Sequence, residues 1–235
     1  MPQVIVVFGA GRGLGAAVAR RFGREGFDVA LVARRPEPLT ALADELAADG
    51  VTARAFPADL SNRRAAQGVV EGIRKEMGRI DTIYYGPVGP EVGFTPARQL
   101  TSTELRANLE LLALTPVDIV QAVLPEMIDR GSGAMLFGLG ASAAHPMPDL
   151  SGAGPAMAAA RNYVHSLAAE LSAHGIHVGS LLISAMIKGS AAYATLTGGD
   201  DSAAIPFPVV EPDTLAQALW TMAANGSPLE THLPS

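Results

Sequence analysis

The sequence predicts an α/β fold of repeated βα units around a parallel sheet that helices cover on both faces. Two observations carry that prediction. Apolar runs of four to seven residues alternate with longer segments of helical period, the pattern of repeated βα units whose parallel sheet is buried on both faces. The first run ends in a glycine string, FGAGRGLG, that opens directly into a helical segment, the join between strand and helix found at phosphate-binding turns. A chain of 235 residues, 49% hydrophobic and 17% charged, is long enough to bury a large core and falls within the size of one domain, 1–235.

Taken in order, strands are expected at residues 4–8, 28–33, 53–56, 82–85, 134–137 and 177–183, each a short run rich in Val, Ile, Leu, Ala or Tyr. Helices fit 14–26, 38–48, 63–77, 102–130 and 154–174 between them. The long segment 102–130 contains Pro116, whose missing N–H predicts a kink or a break there. After Lys188 the stretch 189–208 is rich in Gly, Ser, Asp and Pro and has no clear period. It reads either as a substrate lid or as a surface loop. A last helix fits 212–224, and an edge strand lies near 230–233.

Charge and composition narrow the function. The net charge of −6 and a total of two lysines, Lys75 and Lys188, argue against a nucleic-acid or anionic-membrane partner, which would need clustered basic residues. Without cysteine there is no disulfide framework and no thiolate metal site. Of the five histidines only His174 and His177 have a near-ligand spacing, and they flank a turn, so no metal is expected. The opening MPQVIVVFGAG is too short for a signal or membrane segment and lacks a basic start. It reads as a strand of a cytoplasmic protein.

The chemical signal is strongest in VFGAGRGLGAAVARRF, where Gly9, Gly11, Gly13 and Gly15 permit a tight turn and Leu14 begins a helix. Backbone N–H groups of such a turn approach a phosphate, and the helix dipole adds positive potential. Dinucleotide binding is the functional reading, and a glycine turn that serves packing alone is the alternative. At the end of the second strand, LVARR offers no carboxylate for a ribose 2′-hydroxyl. Arg34 and Arg35, with Arg12 from the glycine turn, supply forked donors suited to a 2′-phosphate, which favours NADP(H) over NAD(H). A solvated arginine pair is the alternative there.

These residues resemble the short-chain dehydrogenase/reductase family along nearly the whole chain. Its Gly-x-x-x-Gly-x-Gly turn is similar to Gly9, Gly13 and Gly15, with Phe8 where a Thr is usual. Its adenine-binding Asp-Leu pair corresponds to Asp59 and Leu60 in FPADLSN, and QAVLPEMIDRGSGAMLF and SLAAELSAHGIHVGSLLI look like its fifth and sixth helix–strand units. The resemblance implies a single-domain, Rossmann-like doubly wound sheet of about seven strands in the order 3-2-1-4-5-6-7. It also implies a homodimer or homotetramer built on the helices near 102–130 and 154–174, where Ala156, Ala159 and Ala160 would permit close approach.

That family transfers a hydride with an Asn, a Ser, and a Tyr followed four residues later by a Lys; the Tyr moves the proton, the Lys lowers its pKa and the Ser positions the substrate oxygen. In this chain the resemblance puts those four positions on Leu112, Gly140, Ala153 and Met157, which would line the substrate pocket instead. One check is independent of alignment. No Tyr precedes a Lys by four residues anywhere, because Glu71 precedes Lys75 and Ser184 precedes Lys188. The family's motif after the fourth strand is likewise replaced by Tyr85, Gly86, Pro87 and Val88.

Replacement groups for the chemistry are few. The loop after the fifth strand, GLGASAAHPMPDLSG, carries Ser142, His145 and Ser151; His145 is a candidate acid or base, a common role of histidine, and Ser142 lies two residues past the vacated Ser position. Tyr84 and Tyr85 end the fourth strand, where neighbours point to opposite faces, so one of them is expected at the crevice, as packing or as a proton donor. Asn108 stands one helical turn before the vacated Asn position and reads as a surface amide or a partial substitute. Arg161 reads as part of an ion pair. Three functions fit: an atypical NADP(H)-dependent oxidoreductase acting on a small apolar carbonyl or alcohol, a non-redox enzyme such as an isomerase, cyclase or lyase, and an NADP(H) sensor or partner subunit.

Overall fold

A computed structural model describes residues 2–88, 95–149, 151–200 and 204–234. The first half is built from β1 (Val4–Phe8), α1 (Leu14–Arg24), β2 (Asp28–Ala33), α2 (Pro36–Ala48), β3 (Ala53–Pro57), α3 (Arg63–Met77) and β4 (Thr82–Tyr85). The second half adds α4 (Ser102–Leu109), α5 (Thr115–Arg130), β5 (Gly133–Gly140), α6 (Gly154–Leu171), β6 (Ile176–Ile183), β7 (Met186–Ile187), α7 (Ala191–Thr197), β8 (Val209–Val210), α8 (Pro212–Asn225) and β9 (Glu230–Leu233). Seven strands form a sheet in the order β3-β2-β1-β4-β5-β6-β9, every pair parallel. This is the expected doubly wound order. Its seventh strand is β9, since β7 and β8 pair with each other outside the sheet.

The alternation of side chains through the sheet divides the core in two. Val6, Phe8, Ile83, Tyr85, Met135, Phe137 and Leu182 face one layer with residues of α3, α5 and α6. Ile5, Val7, Leu31, Tyr84, Leu136 and Leu181 face the other, against α1, α2 and α8. β1 lies between β2 and β4, so the chain reverses its direction of growth there. In such sheets the crevice at the carboxyl ends of the strands beside that reversal is the ligand site.

The expected helix 102–130 is interrupted just ahead of its proline. A π-helical turn, Glu110–Leu114, separates α4 from α5, and Pro116 follows at the second residue of α5 with no N–H to return to that turn. A π turn frees backbone carbonyls from the regular ladder. Here the Tyr85 hydroxyl donates to the freed Leu111 carbonyl. By length and composition the stretch Ser102–Arg130 is apolar enough to cross a membrane, yet half of its most apolar 18 residues are buried in the fold, as in a core helix.

The segment after Lys188 is more ordered than its composition foretells. Ser190 caps α7, its hydroxyl accepting from the Tyr193 N–H at 3.1 Å, and Tyr193 is buried beneath it. Residues 201–203 of the expected lid 189–208 lie outside the described residues. The small-residue contact expected on α6 is also revised: Ala156 and Ala160 are buried within the chain's own core, and only Ala159 of the three is exposed.

Candidate functional site

The phosphate turn is held by its neighbours. The N–H groups of Gly9 and Ala10 both donate to the Val32 carbonyl, at 2.9 and 3.0 Å, and Gly11 donates to Gly9 at 2.7 Å. Gly9 and Gly13 have φ of 95° and 86°, a region that side-chain-bearing residues avoid. A Cβ on Gly15 would stand 2.1 Å from the Gly9 carbonyl oxygen, so only glycine lets the helix start this close under the turn. At Gly11 nothing lies within 4 Å of the same position; the turn is open on that side. Ala16 and Ala17 donate back to Gly11 and Gly13, which leaves the N–H groups of Leu14 and Gly15 at the head of α1 with no intrahelical acceptor. Such an opening suits a pyrophosphate.

The bonds from Gly9 and Ala10 to Val32 hold the start of the turn that carries Arg12 at the end of β2, where Arg34 and Arg35 follow. All three arginines are exposed. On the next strand the Ala58 N–H donates to the Ala33 carbonyl at 3.0 Å, bringing Asp59 to the same end of the sheet. One Asp59 oxygen accepts from the Ser61 N–H at 3.0 Å and its hydroxyl at 2.8 Å. Leu60 is buried and its carbonyl accepts from the Thr115 hydroxyl at 2.9 Å. Gly9, Gly11, Arg12, Gly13, Leu14, Gly15, Arg34, Arg35, Asp59 and Leu60 therefore share one end of the sheet.

At the other end of the crevice the positions assigned to catalytic residues form an apolar contact. The Gly140 N–H donates to Met157 Sδ at 3.2 Å, and a Cβ on Gly140 would stand 3.3 Å from that sulfur. Met157 lies one turn into α6, its N–H bonded to the Ala153 carbonyl at 2.9 Å. Leu112, on the π turn, is buried in the same core layer. Ser142 borders this group, its Oγ 3.6 Å from where a Cβ of Gly140 or Gly154 would be.

Other candidates lie elsewhere. Tyr84 and Tyr85 are both buried, so the expectation that one faces the crevice is corrected. Tyr85 is held on Leu111, and burial pushes both phenols well above their usual range, which removes Tyr85 as a proton donor near neutral pH. The Tyr84 ring occupies a slot made by two glycines: Cβ atoms on Gly86 and Gly138 would come within 2.1 and 2.7 Å of its hydroxyl. Asn108 is corrected too, from a surface amide to a buried one whose Nδ2 donates to the Gly152 carbonyl at 2.6 Å, tying α4 to the start of α6. The Ser151 N–H donates to Thr95 at 2.9 Å.

His145 is exposed, and its ring lies 5.9 Å from that of His232 on β9. Next to that pair lies an anionic hub that no sequence motif announces. Glu230 accepts from Arg161 at 2.6 and 2.8 Å, from Ser180 Oγ at 3.1 Å, and pairs with His165 and His232 at 3.0 and 2.9 Å. The Arg161 guanidinium holds its carboxyl far below the ordinary carboxylate range. Arg161 is thus an ion-pair residue, as expected. Also unforeseen, Ser190 and Ile187 rest on the phosphate turn, their side-chain carbons 3.2 and 3.5 Å from a Cβ placed on Gly13. Among the described residues no group of three or more His, Asp or Glu side chains could hold a metal.

Comparison with known proteins agrees with this architecture. A family model described as short chain dehydrogenase matches residues 3–192. The chain is 28% identical over 179 residues to sulfoacetaldehyde reductase 2 of Chromohalobacter salexigens, covering 76% of this chain and 70% of that one. It is 32% identical to a short chain dehydrogenase of Pseudocercospora fijiensis over 74% of its own length, and spans 56% of that relative. The NADP-dependent 3-hydroxy acid dehydrogenase YdfG of Salmonella typhi is 26% identical over 94% of this chain and 89% of its own. Among solved structures, a metagenomic short-chain oxidoreductase in complex with NADP is 26% identical with a TM-score of 0.79, covering 98% and 95% of the two chains. A 7α-hydroxysteroid dehydrogenase, 19% identical with a TM-score of 0.87 over 98% and 92%, shares the fold.

Proposed function

The chain belongs to the short-chain dehydrogenase family, and we propose that within it this protein is an NADP(H)-dependent oxidoreductase of altered mechanism, acting on a small apolar carbonyl or alcohol. The observation that carries the reading is the phosphate turn, in which Gly15 lies directly beneath the Gly9 carbonyl while the Gly11 side stays open. The N–H groups of Leu14 and Gly15 would hold the pyrophosphate, Asp59 and Leu60 the adenine, and Arg12, Arg34 and Arg35 the 2′-phosphate. Relatives described as NADP-dependent or in complex with NADP support that choice of cofactor.

When bound, the nicotinamide supplies the hydride. The chain's own part is positioning. Leu112, Ala153 and Met157 offer an apolar wall that fits an apolar substrate, and the Ser142 hydroxyl donates to the substrate oxygen. With no Tyr-Lys pair in the sequence, the proton comes to that oxygen from solvent. Positioned acid catalysis is worth about 10² to 10⁴ in rate, so turnover is slow by that factor and still measurable.

A second reading is favoured by the same apolar contact. With Met157 on the Gly140 N–H and the Tyr85 hydroxyl spent on Leu111, the wall offers little acid or base, which suits an isomerase, cyclase or lyase, or an NADP(H)-binding partner subunit. NADPH oxidation followed against a panel of small apolar aldehydes and ketones separates the readings. Slow, saturable oxidation with deuteride transfer from labelled NADPH to product supports the oxidoreductase. Cofactor binding with no transfer to any member of the panel supports the second reading.

A further inference from the structure

We propose that His145 and His232 form a binding site for a divalent first-row transition ion, Zn²⁺ foremost, joining the loop after β5 to the last strand. The argument starts from Glu230. Its carboxylate accepts from the Arg161 guanidinium at 2.6 and 2.8 Å, and a carboxylate in such an ion pair offers acceptors only. His232 Nε2, 2.9 Å from Glu230 Oε1, must therefore carry a proton and donate it. In the neutral ring the lone pair is then on Nδ1. A carboxylate behind one ring nitrogen fixes the tautomer and raises the basicity of the other, the arrangement that supports metal-ligating histidines.

The second ligand is in place. The His145 ring is exposed and stands 5.9 Å from the His232 ring, tilted by 57°. A metal bound at about 2.0 Å from an imidazole nitrogen lies about 3.2 Å from that ring's centre. Two rings on one ion thus have centres no more than about 6.3 Å apart, and about 5.2 Å at a tetrahedral angle. The observed separation falls between these limits, so the two rings are near enough to share one ion. A stacked pair would lie near parallel; this one does not.

The class of ion follows from the donors. Two neutral imidazoles with solvent completing the shell suit Zn²⁺, Cu²⁺ or Ni²⁺ and discriminate against Mg²⁺ and Ca²⁺, which prefer oxygen. Glu230, already accepting from Arg161, Ser180 and the two histidines, acts from behind and is not itself a ligand. His232 is 45% exposed, which gives an ion direct entry from solvent. Bound there, it would clip the chain after Gly140 to β9 and restrain one rim of the crevice.

The test is calorimetric titration of the purified protein with ZnCl₂ near pH 7.5, with Mg²⁺ as the control ion. One Zn²⁺ per chain with micromolar affinity is expected, along with a raised melting temperature and coupling to two nitrogens in the Cu²⁺ electron paramagnetic resonance spectrum. His145→Ala and His232→Ala should each weaken binding at least about tenfold, Glu230→Gln by about tenfold, and His165→Ala not at all. His145 is an exposed loop residue, so its variant folds and decides the matter. No binding at millimolar Zn²⁺, or binding unchanged in His145→Ala, an adventitious ion only, overturns the site. Neither result bears on NADP(H) binding, which the phosphate turn controls.

Discussion

The Gly140 N–H donates to the sulfur of Met157 at 3.2 Å, joining the end of β5 to the second turn of α6 through a weak acceptor in an apolar setting. In the assignment proposed above the two residues hold the positions of a serine and a lysine, and this bond would replace a polar relay with a packed contact. Met157→Leu conserves volume and should cost about 1 kcal/mol, since it only leaves the Gly140 N–H without its acceptor. Met157→Lys buries an ammonium at a position only 6% exposed and should cost several times more. Urea denaturation of both variants measures the difference.

Glycines of the phosphate turn should separate by what surrounds them. A methyl on Gly15 would meet the Gly9 carbonyl oxygen at 2.1 Å, and that atom is backbone and cannot yield. Gly15→Ala should therefore lower stability by about 3 kcal/mol or more and abolish cofactor binding. Gly11→Ala meets nothing within 4 Å and should leave the melting temperature nearly unchanged while weakening cofactor affinity. If Gly11→Ala binds cofactor as the wild type does, the open side of the turn is not where phosphate lies.

Tyr85→Phe should be costly for a single oxygen. It strands the Leu111 carbonyl that the π turn has freed, and a buried unsatisfied acceptor costs about 1 to 3 kcal/mol. Tyr84→Phe is the paired control, because its hydroxyl fills the slot between Gly86 and Gly138. Thermal melts with hydrogen exchange at Leu112 to Thr115 locate the effect in the π turn.

Acid should destabilise the protein in two stages. Burial depresses the His177 pKa from its ordinary 6.5, so the unfolded chain binds that proton first; the stability is full above 6.5 and is lost as pH falls below it. Glu230 is depressed from 4.5 by Arg161, so its contribution holds above 4.5 and drains away below. Melting temperatures between pH 8 and about 3 trace both stages, and Glu230→Gln should remove the lower one while sparing the upper.

The central strands are legible in the sequence because each is an uninterrupted apolar run, and the glycine turn because its backbone admits no other residue. Helix α7 escapes notice for a physical reason: seven residues capped by one serine are too short to establish a period. The break in 102–130 is foreshadowed by Pro116, whose missing N–H cannot bond the turn before it, whereas its form is not, because the π turn is tied to Tyr85 on another element. The Glu230 hub is invisible for the same reason. Its partner Arg161 is 69 residues away, and only the pairing of Ser180 with Glu230 across β6 and β9 brings them together.

The most direct test of the account is a calorimetric comparison of NADPH and NADH binding to the wild-type chain and to Arg34→Ala/Arg35→Ala. The account predicts NADPH tighter than NADH by at least about tenfold in the wild type, from charge-assisted bonds to the 2′-phosphate. It predicts that preference lost in the double variant with NADH affinity little changed. No NADPH binding at millimolar concentration, or an equal loss of both cofactors in the variant, would contradict it.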